Sequence, residues 1–522
     1  MPLLSERSSA TDRDAEPVSP QGLRADAGAP SCVALNRRLL LGVAAGAAGQ
    51  MLMSGGRAVA QGVRGAPQSS SQMAASSLSP SQIELLATTL ADAASHGFGA
   101  EDFGQSVVAN ALAARDPTAP DQLRAAILAY ARAQRGQRLP SADFPEEWAV
   151  RPAPFAPQPS FEAAVASDSL ASWLADLPPP YEGYEALRTA LARYRDMASR
   201  HGWKPIADGP PLSLGASSSR VAALRLRLAA EDPSAPTGGD DPETFDQPLV
   251  AAVIKFQKRY GQVADGVVGP PTLQALNEPV GQRILQIEAN MERWRWMPRT
   301  LPPSRIQVNT AAAVMAVYED NRPVLAMKAV SGRPDDATPM LHSIVESIVL
   351  NPAWHVPAGI AQKELFPKER NNPGYFARND FVVIQDENGG ERLVQKAGPK
   401  SALGHFKFDF SNPFGVYLHD TPAHSGFART SRLASHGCVR LEQPEALADL
   451  LLQGMEDWPP DRIHEIVQGD ETVRVRLPRP IPVFILYWTA FGDGSGSVQF
   501  RNDAYDWDRK LLNLISAESA SA

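Results

Sequence analysis

The sequence predicts a multidomain α+β protein, with a helical N-terminal part, a small three-helix unit, and a β-rich C-terminal domain interrupted by a helical insertion. Three observations carry this. The chain has 522 residues, whereas single hydrophobic cores stop growing at roughly 250–300 residues, so about three domains are expected. Apolar residues recur every three to four positions up to Met297 and alternate after Arg305, a change from the helical to the strand period. The 46 prolines and 38 glycines exceed ordinary usage and point to linkers between folded blocks.

The chain opens on a leader. Asn36 to Gln61 place the basic pair Arg37-Arg38 before an apolar run from Leu39 to Met53, followed by Ala58-Val59-Ala60. This is the pattern of a secretory signal with an A-x-A cleavage site, and its start resembles a twin-arginine signal. The run is shorter than the about 20 apolar residues of a membrane span. No stable span is therefore expected in the mature chain, and the expected location is the periplasm. Residues 61–80 carry hardly any large apolar side chains and read as a linker.

Helical spacing begins at Ser81. Ile83, Leu86 and Leu90, then Leu123, Ile127 and Tyr130, and finally Tyr184, Leu187, Leu191 and Tyr194 define a helical scaffold over 81–206, with a proline-rich break from Pro140 to Pro159. Residues 207–280 form the next unit, with apolar faces Val221, Leu224, Leu228 and Leu249, Val253, Phe256, Tyr260. A linking helix covers 281–303. The β-rich domain spans 304–511, with alternation at Ile306, Val308, at Val314, Ala316, Tyr318 and at Val324, Ala326, Lys328, Val330, and with an inserted cap at about 352–380. A tail of 512–522 closes the chain.

The net charge of −8 and the absence of a basic block argue against a nucleic-acid partner. Cys32 and Cys438 are the two cysteines, and cleavage after Ala60 leaves Cys438 alone, so an intrachain disulfide is excluded in the mature chain. Four of the nine histidines lie between His405 and His436. Around them stand Tyr417-Leu418-His419-Asp420-Thr421 and Ser435-His436-Gly437-Cys438-Val439-Arg440. A thiol is mostly protonated at neutral pH, and an adjacent imidazole makes it a usable nucleophile. Spacing leaves both His419 and His436 as candidates for that base. Gly437 allows close backbone approach to an oxyanion, and Arg440 offers a planar fork for a substrate carboxylate. Trp354 and Tyr417 are candidates for lining the cleft. His405 and His424 read as surface or supporting residues. A zinc reading of His419, His424, His436 and Cys438 lacks the paired-histidine motif of zinc peptidases; no metal and no cofactor are expected.

His419 followed by SHGCVR at 435–440 resembles the active-site pattern of the L,D-transpeptidase catalytic domain. NPAWHVP at 351–357, PGY at 373–375 and PVFILYWTAF at 482–491 resemble its larger Gram-negative members. FQKRYGQVADGVVGPPTLQALN at 256–277 resembles a three-helix peptidoglycan-binding domain. The resemblance implies a helical scaffold, a peptidoglycan-binding domain, and a β-rich L,D-transpeptidase catalytic domain with a helical cap insertion. It implies Cys438 as nucleophile and His419 as its base. His436 and Gly437 would shape the nucleophile loop and oxyanion site, and Arg440, Ser435, Tyr417 and Trp354 would contact substrate. The implied reaction cleaves the amide after the third stem residue, meso-diaminopimelate, releases D-Ala, forms a thioester and passes the acyl group to an amine in a 3-3 crosslink. The alternatives are an L,D-carboxypeptidase and a non-catalytic wall-binding adaptor. The implied partners are peptidoglycan stem peptides and glycan, with cell-wall synthases or carboxypeptidases beside them, and carbapenems are expected to acylate Cys438. The cap is expected to position the stem peptide and limit water.

Overall fold

The computed structural model describes residues 77–521 apart from 239–240, 386–389 and 493–496, so the expected leader and signal and most of the linker lie outside the described residues. The first scaffold helix, Pro80–Ala91, starts one residue before the expected point. Ser79 and Gln82 cap it reciprocally and Pro80 takes the first helical position, where its missing N–H costs nothing. Helices Gln105–Ala113, Ala119–Gln134, Pro157–Ala166 and Leu170–Ala175 follow. They enclose Leu86, Leu90, Leu123, Ile127, Phe161 and Leu174. Within the proline-rich stretch, Pro157 opens a helix rather than ending one.

The scaffold divides where the sequence suggested one block. Its last helix, Glu182–Ser199, places Tyr184, Leu187, Leu191 and Tyr194 in a second core, shared with the three-helix unit, the linking helix Val280–Arg295 and the C-terminal segment. The three-helix unit consists of Ser219–Glu231, Gln247–Arg259 and Pro270–Asn277. Its F-Q, D-G and T positions are joined through the buried Gln257. The Gln257 amide donates to Asp265 at 2.9 Å and to Thr272 at 3.3 Å, and its carbonyl accepts the Gly266 N–H at 2.9 Å. Gly266 has φ +74°, which a residue with a Cβ adopts only under strain.

The C-terminal domain is built from strands β1 (Arg305–Asn309), β2 (Val314–Glu319), β3 (Arg322–Gly332), β4 (Leu341–Leu350), β5 (Trp354–His355), β6 (Phe381–Gln385), β7 (Glu391–Gln395), β8 (Phe406–Phe410), β9 (Leu418–His419), β10 (Leu433–Ser435), β11 (Val439–Leu441), β12 (Val473–Leu486), β13 (Ala490–Gly492) and β14 (Val498–Phe500). Nine form one sheet in the order β10-β3-β11-β9-β8-β4-β12-β1-β2. The inward parity of β2 is opposite to the expected one. Met315 and Val317 are buried because they pair with Val308 and Ile306, while Val314 is exposed. The cap reaches further than 380: β5, β6 and β7 form a separate three-stranded sheet in the order β5-β7-β6, so the insertion closes only after Gln395.

β12 belongs to two cores at once. Val483 and Ile485 face the catalytic core, whereas Phe484 and Leu486 face the scaffold core, as the period of two demands. The chain end is likewise no tail. Helix Trp507–Ser521 buries Leu511 and Ile515, and Arg293 of the linking helix pairs with Asp508. Trp148 packs against both Trp296 and Trp507, which in turn meets Tyr505.

Candidate active site

β9 and β11 are adjacent and parallel, with Leu418 opposite Val439 and His419 opposite Arg440. Leu418, Val439 and Leu441 face the catalytic core. Alternation therefore puts Tyr417, His419, Cys438 and Arg440 together on the other face of the sheet. Lys407 of β8 stands opposite His419 on its other side, so two cations flank the imidazole. Lys407 also lies 4.4 Å from the Tyr417 ring centroid and pairs with Asp409 at 2.7 Å. It was not among the expected site residues; only its register with His419 reveals it.

Cys438 is partly buried, and its Sγ lies 3.9 Å from the Gly415 carbonyl. Tyr417 acts on the thiol through both its backbone and its phenol, and Trp354 of the cap acts on the same phenol. Burial raises the thiol above its ordinary range, with Tyr417, Lys407 and Arg440 acting in the opposite sense. Burial also pushes the Tyr417 phenol well up, assisted by the charge of a Cys438 thiolate, so this hydroxyl remains a donor.

His419 is buried, and its Nδ1 lies 2.5 Å from the Asp420 carbonyl. A carbonyl only accepts, so Nδ1 carries the proton and Nε2 keeps its lone pair. Burial first, and then Arg440, lower this imidazole to about 3. At neutral pH the site thus holds a thiol and a neutral imidazole. Among the described residues neither His419 nor His436 hydrogen-bonds to the thiol. The Nε2 of His436 instead faces Glu364 of the cap at 2.7 Å, which aims this ring away from a role as the base.

The loop that carries Cys438 is held from inside. Gly437 has φ +106° and no heavy atom closer than 3.9 Å to the Cβ it lacks, so glycine is needed there for conformation rather than space. Its N–H donates to Ser435 Oγ at 3.2 Å, and Ser435 Oγ donates to the Cys438 carbonyl at 2.5 Å. Ser435 is buried and shapes the loop from inside, where it takes up the Gly437 N–H. Thr338 donates to the Gly437 carbonyl at 2.8 Å; Tyr505 in turn donates to the Gly332 carbonyl at 2.7 Å and accepts the Thr338 N–H. Arg440 has a buried Nε without a hydrogen-bond partner among the described residues. His424 is exposed, and His405 hydrogen-bonds to Asn351 at 2.9 Å.

His96 is the second strongly lowered imidazole, also to about 3, through burial and then Arg295. Both values lie below the 6.5 of a free imidazole. Protonation therefore favours the unfolded chain: stability is complete above about pH 6.5 and falls as pH drops toward 3. Each buried imidazole is expected to remove about 2 kcal/mol at about pH 5, measurable as a lower denaturant midpoint. In a His96→Gln protein the acid loss should shrink; an unchanged acid profile would contradict the assignment.

A thiol, a lone pair held by a fixed tautomer, and a protonated phenol equip this face for acyl transfer through a thioester. Comparison with known proteins agrees with that class. Residues 303–473 match the family described as L,D-transpeptidase catalytic domain, 75–191 match the Scaffold domain, and 217–276 match the "Putative peptidoglycan binding domain". The chain carries an L,D-transpeptidase catalytic domain, preceded by a scaffold domain and a peptidoglycan-binding domain.

A Haemophilus influenzae protein named "Putative L,D-transpeptidase" is 27% identical over 241 residues, covering 43% of this chain and 48% of the relative. The chain thus spans about half the length of the curated relative it matches. Among solved structures, the Xylanimonas cellulosilytica L,D-transpeptidase is 18% identical with a TM-score of 0.21, covering 54% of this chain and 100% of that one. The Mycobacterium smegmatis L,D-transpeptidase is 16% identical with a TM-score of 0.18, covering 35% and 58%. The domain content suggests a cell-wall or periplasmic location, and no described helix is long and apolar enough to cross a membrane.

Proposed function

We propose that this protein is a periplasmic peptidoglycan L,D-transpeptidase, exported by its leader, that uses Cys438 as nucleophile and His419 as base. The observation that carries the reading is the shared sheet face of Tyr417, His419, Cys438 and Arg440. Cys438 attacks the meso-diaminopimelate carbonyl carbon of the amide to D-Ala while its proton passes to His419 Nε2. The Tyr417 phenol, kept protonated, donates to the developing oxyanion. Collapse of the tetrahedral intermediate breaks the C–N bond, His419 returns the proton to the departing D-Ala amine, and a thioester remains. An amine of a second stem then attacks the thioester, and the thiol is released as the 3-3 crosslink forms.

The buried, unpartnered Nε of Arg440 suits a substrate carboxylate, and its charge helps hold His419 down. A carboxylate bound there offsets that charge and raises the basicity of His419 when substrate is present. Mass spectrometry of the products from disaccharide-tetrapeptides tests the reading. Dimers lacking one D-Ala are expected; tripeptide monomers alone would favour an L,D-carboxypeptidase, and unchanged tetrapeptide would remove the assignment.

A further inference from the structure

The cap and the nucleophile loop meet at one charged cluster. Glu364 Oε1 lies 2.7 Å from His436 Nε2 and 3.4 Å from Arg333 Nη2. Arg333 also pairs through its Nε with Asp336 at 2.6 Å, and its backbone N–H donates to the Ser435 carbonyl at 3.0 Å. The carboxylate therefore bridges the insertion to residues on both sides of the loop that ends in Cys438.

The cap presents Glu364 by an irregular turn. Residues Ala361–Leu365 are π-helical, between Ala358–Ile360 and Phe366–Asn371. Pro367 has no N–H for the carbonyl of residue 363, so regular α pairing cannot continue through this point. The wider turn buries Ala361 and Leu365 while Glu364 points to the rim.

The pair is dispensable for holding the cap together, because Val356, Ala361, Leu365, Phe381 and Leu393 give the insertion its own core. Half-exposed ion pairs contribute only about 0–1 kcal/mol. The contact can still set geometry, since a misplacement of about 1 Å in a reacting group costs up to about 100-fold in rate. His436 is separated from Cys438 by Gly437 alone, so the ring's position fixes the approach of the thiol.

We propose that Glu364 is a positioning residue: by holding His436 it sets the nucleophile loop and seats the cap over the cleft. As a consequence for the reaction, this rests on the L,D-transpeptidase reading above; as a statement about the loop it does not. Two variants of the full chain, Glu364→Ala and Glu364→Gln, separate the hydrogen bond from the charge, because the Gln carbonyl still accepts from His436.

The first readout is alkylation of Cys438 by iodoacetamide, followed by peptide mass mapping, which separates it from Cys32; the second is turnover of disaccharide-tetrapeptides. In the Ala variant alkylation should rise at least about threefold and kcat should fall about tenfold, with a larger share of hydrolysis as the cap lifts. The Gln variant should stay within about twofold of wild type on both, and thermal midpoints should agree within about 2 °C, as befits a weakly stabilising pair. Alkylation of the Ala variant at the wild-type rate would overturn the proposal, as would a Gln variant indistinguishable from Ala. If alkylation responds as expected while wild type makes no product, the positioning role stands and the assigned reaction falls.

Discussion

Replacing Cys438 with alanine is expected to abolish both loss of D-Ala and dimer formation from disaccharide-tetrapeptides, leaving the fold unchanged. The loss should be on the order of 10⁶-fold, the scale seen when a covalent nucleophile is removed. Three features make the effect so large. Cys438 is the lone cysteine among the described residues, Tyr417, Lys407 and Arg440 all act to favour its ionised form, and the loop's internal hydrogen bonds serve to present it. Sγ accepts no structural burden beyond the weak 3.9 Å contact with Gly415, so the substitution removes chemistry without removing packing. The check is paired product analysis and thermal unfolding. Residual crosslinking in the alanine protein would show that the thiol is not the nucleophile, and wall binding with intact turnover would redirect attention to the other domains.

The second large effect concerns His419. Alanine at this position should lower kcat by about 10²–10⁴-fold, the usual worth of a placed general base. Its pH dependence is the sharper test. Burial holds the thiol above and the imidazole well below their ordinary values, so the resting site is not a preformed thiolate–imidazolium pair. The proton must leave sulfur as the bond to carbon forms. Without His419 only hydroxide in solvent can ionise the thiol, so the variant's rate should climb steadily as pH rises into the alkaline range while wild type changes little. A wild-type alkylation rate that stays high into acid would indicate a preformed ion pair and contradict this account.

The site was legible in the sequence to the extent that its parts are contiguous. His419 and the 435–440 segment sit on paired strands, and the close spacing of Gly437 and Cys438 is itself the geometry. Lys407 and Glu364 were missed for a physical reason. One becomes a neighbour through sheet register, the other through a contact across 72 positions, and local patterning encodes neither. The burial of Ser435 was not legible, because a hydroxyl beside Cys438 reads the same in sequence whether it faces inward or outward. In β2, apolar residues occupy both parities, so alternation alone could not choose Met315 and Val317 over Val314. The helical blocks were legible because their apolar stripes are long. Their grouping was not, since a core shared by Tyr194, Phe256 and Phe500 joins segments far apart in the chain.

That shared core bears on how separable the three matched segments are. The match to the catalytic family ends at residue 473, where β12 begins, yet β12 is a central strand whose Phe484 and Leu486 lie in the scaffold's core. Beyond it, Tyr505 stacks on Tyr487 and reaches Gly332 and Thr338, and Thr338 grips Gly437. The loop that carries the thiol is thus referenced to a framework that also holds the three-helix unit. These segments cannot be recombined like beads on a string. An exchange of the peptidoglycan-binding unit for one of different shape would be transmitted through aromatic packing to the backbone beside Cys438, so changes in the two must be matched to one another.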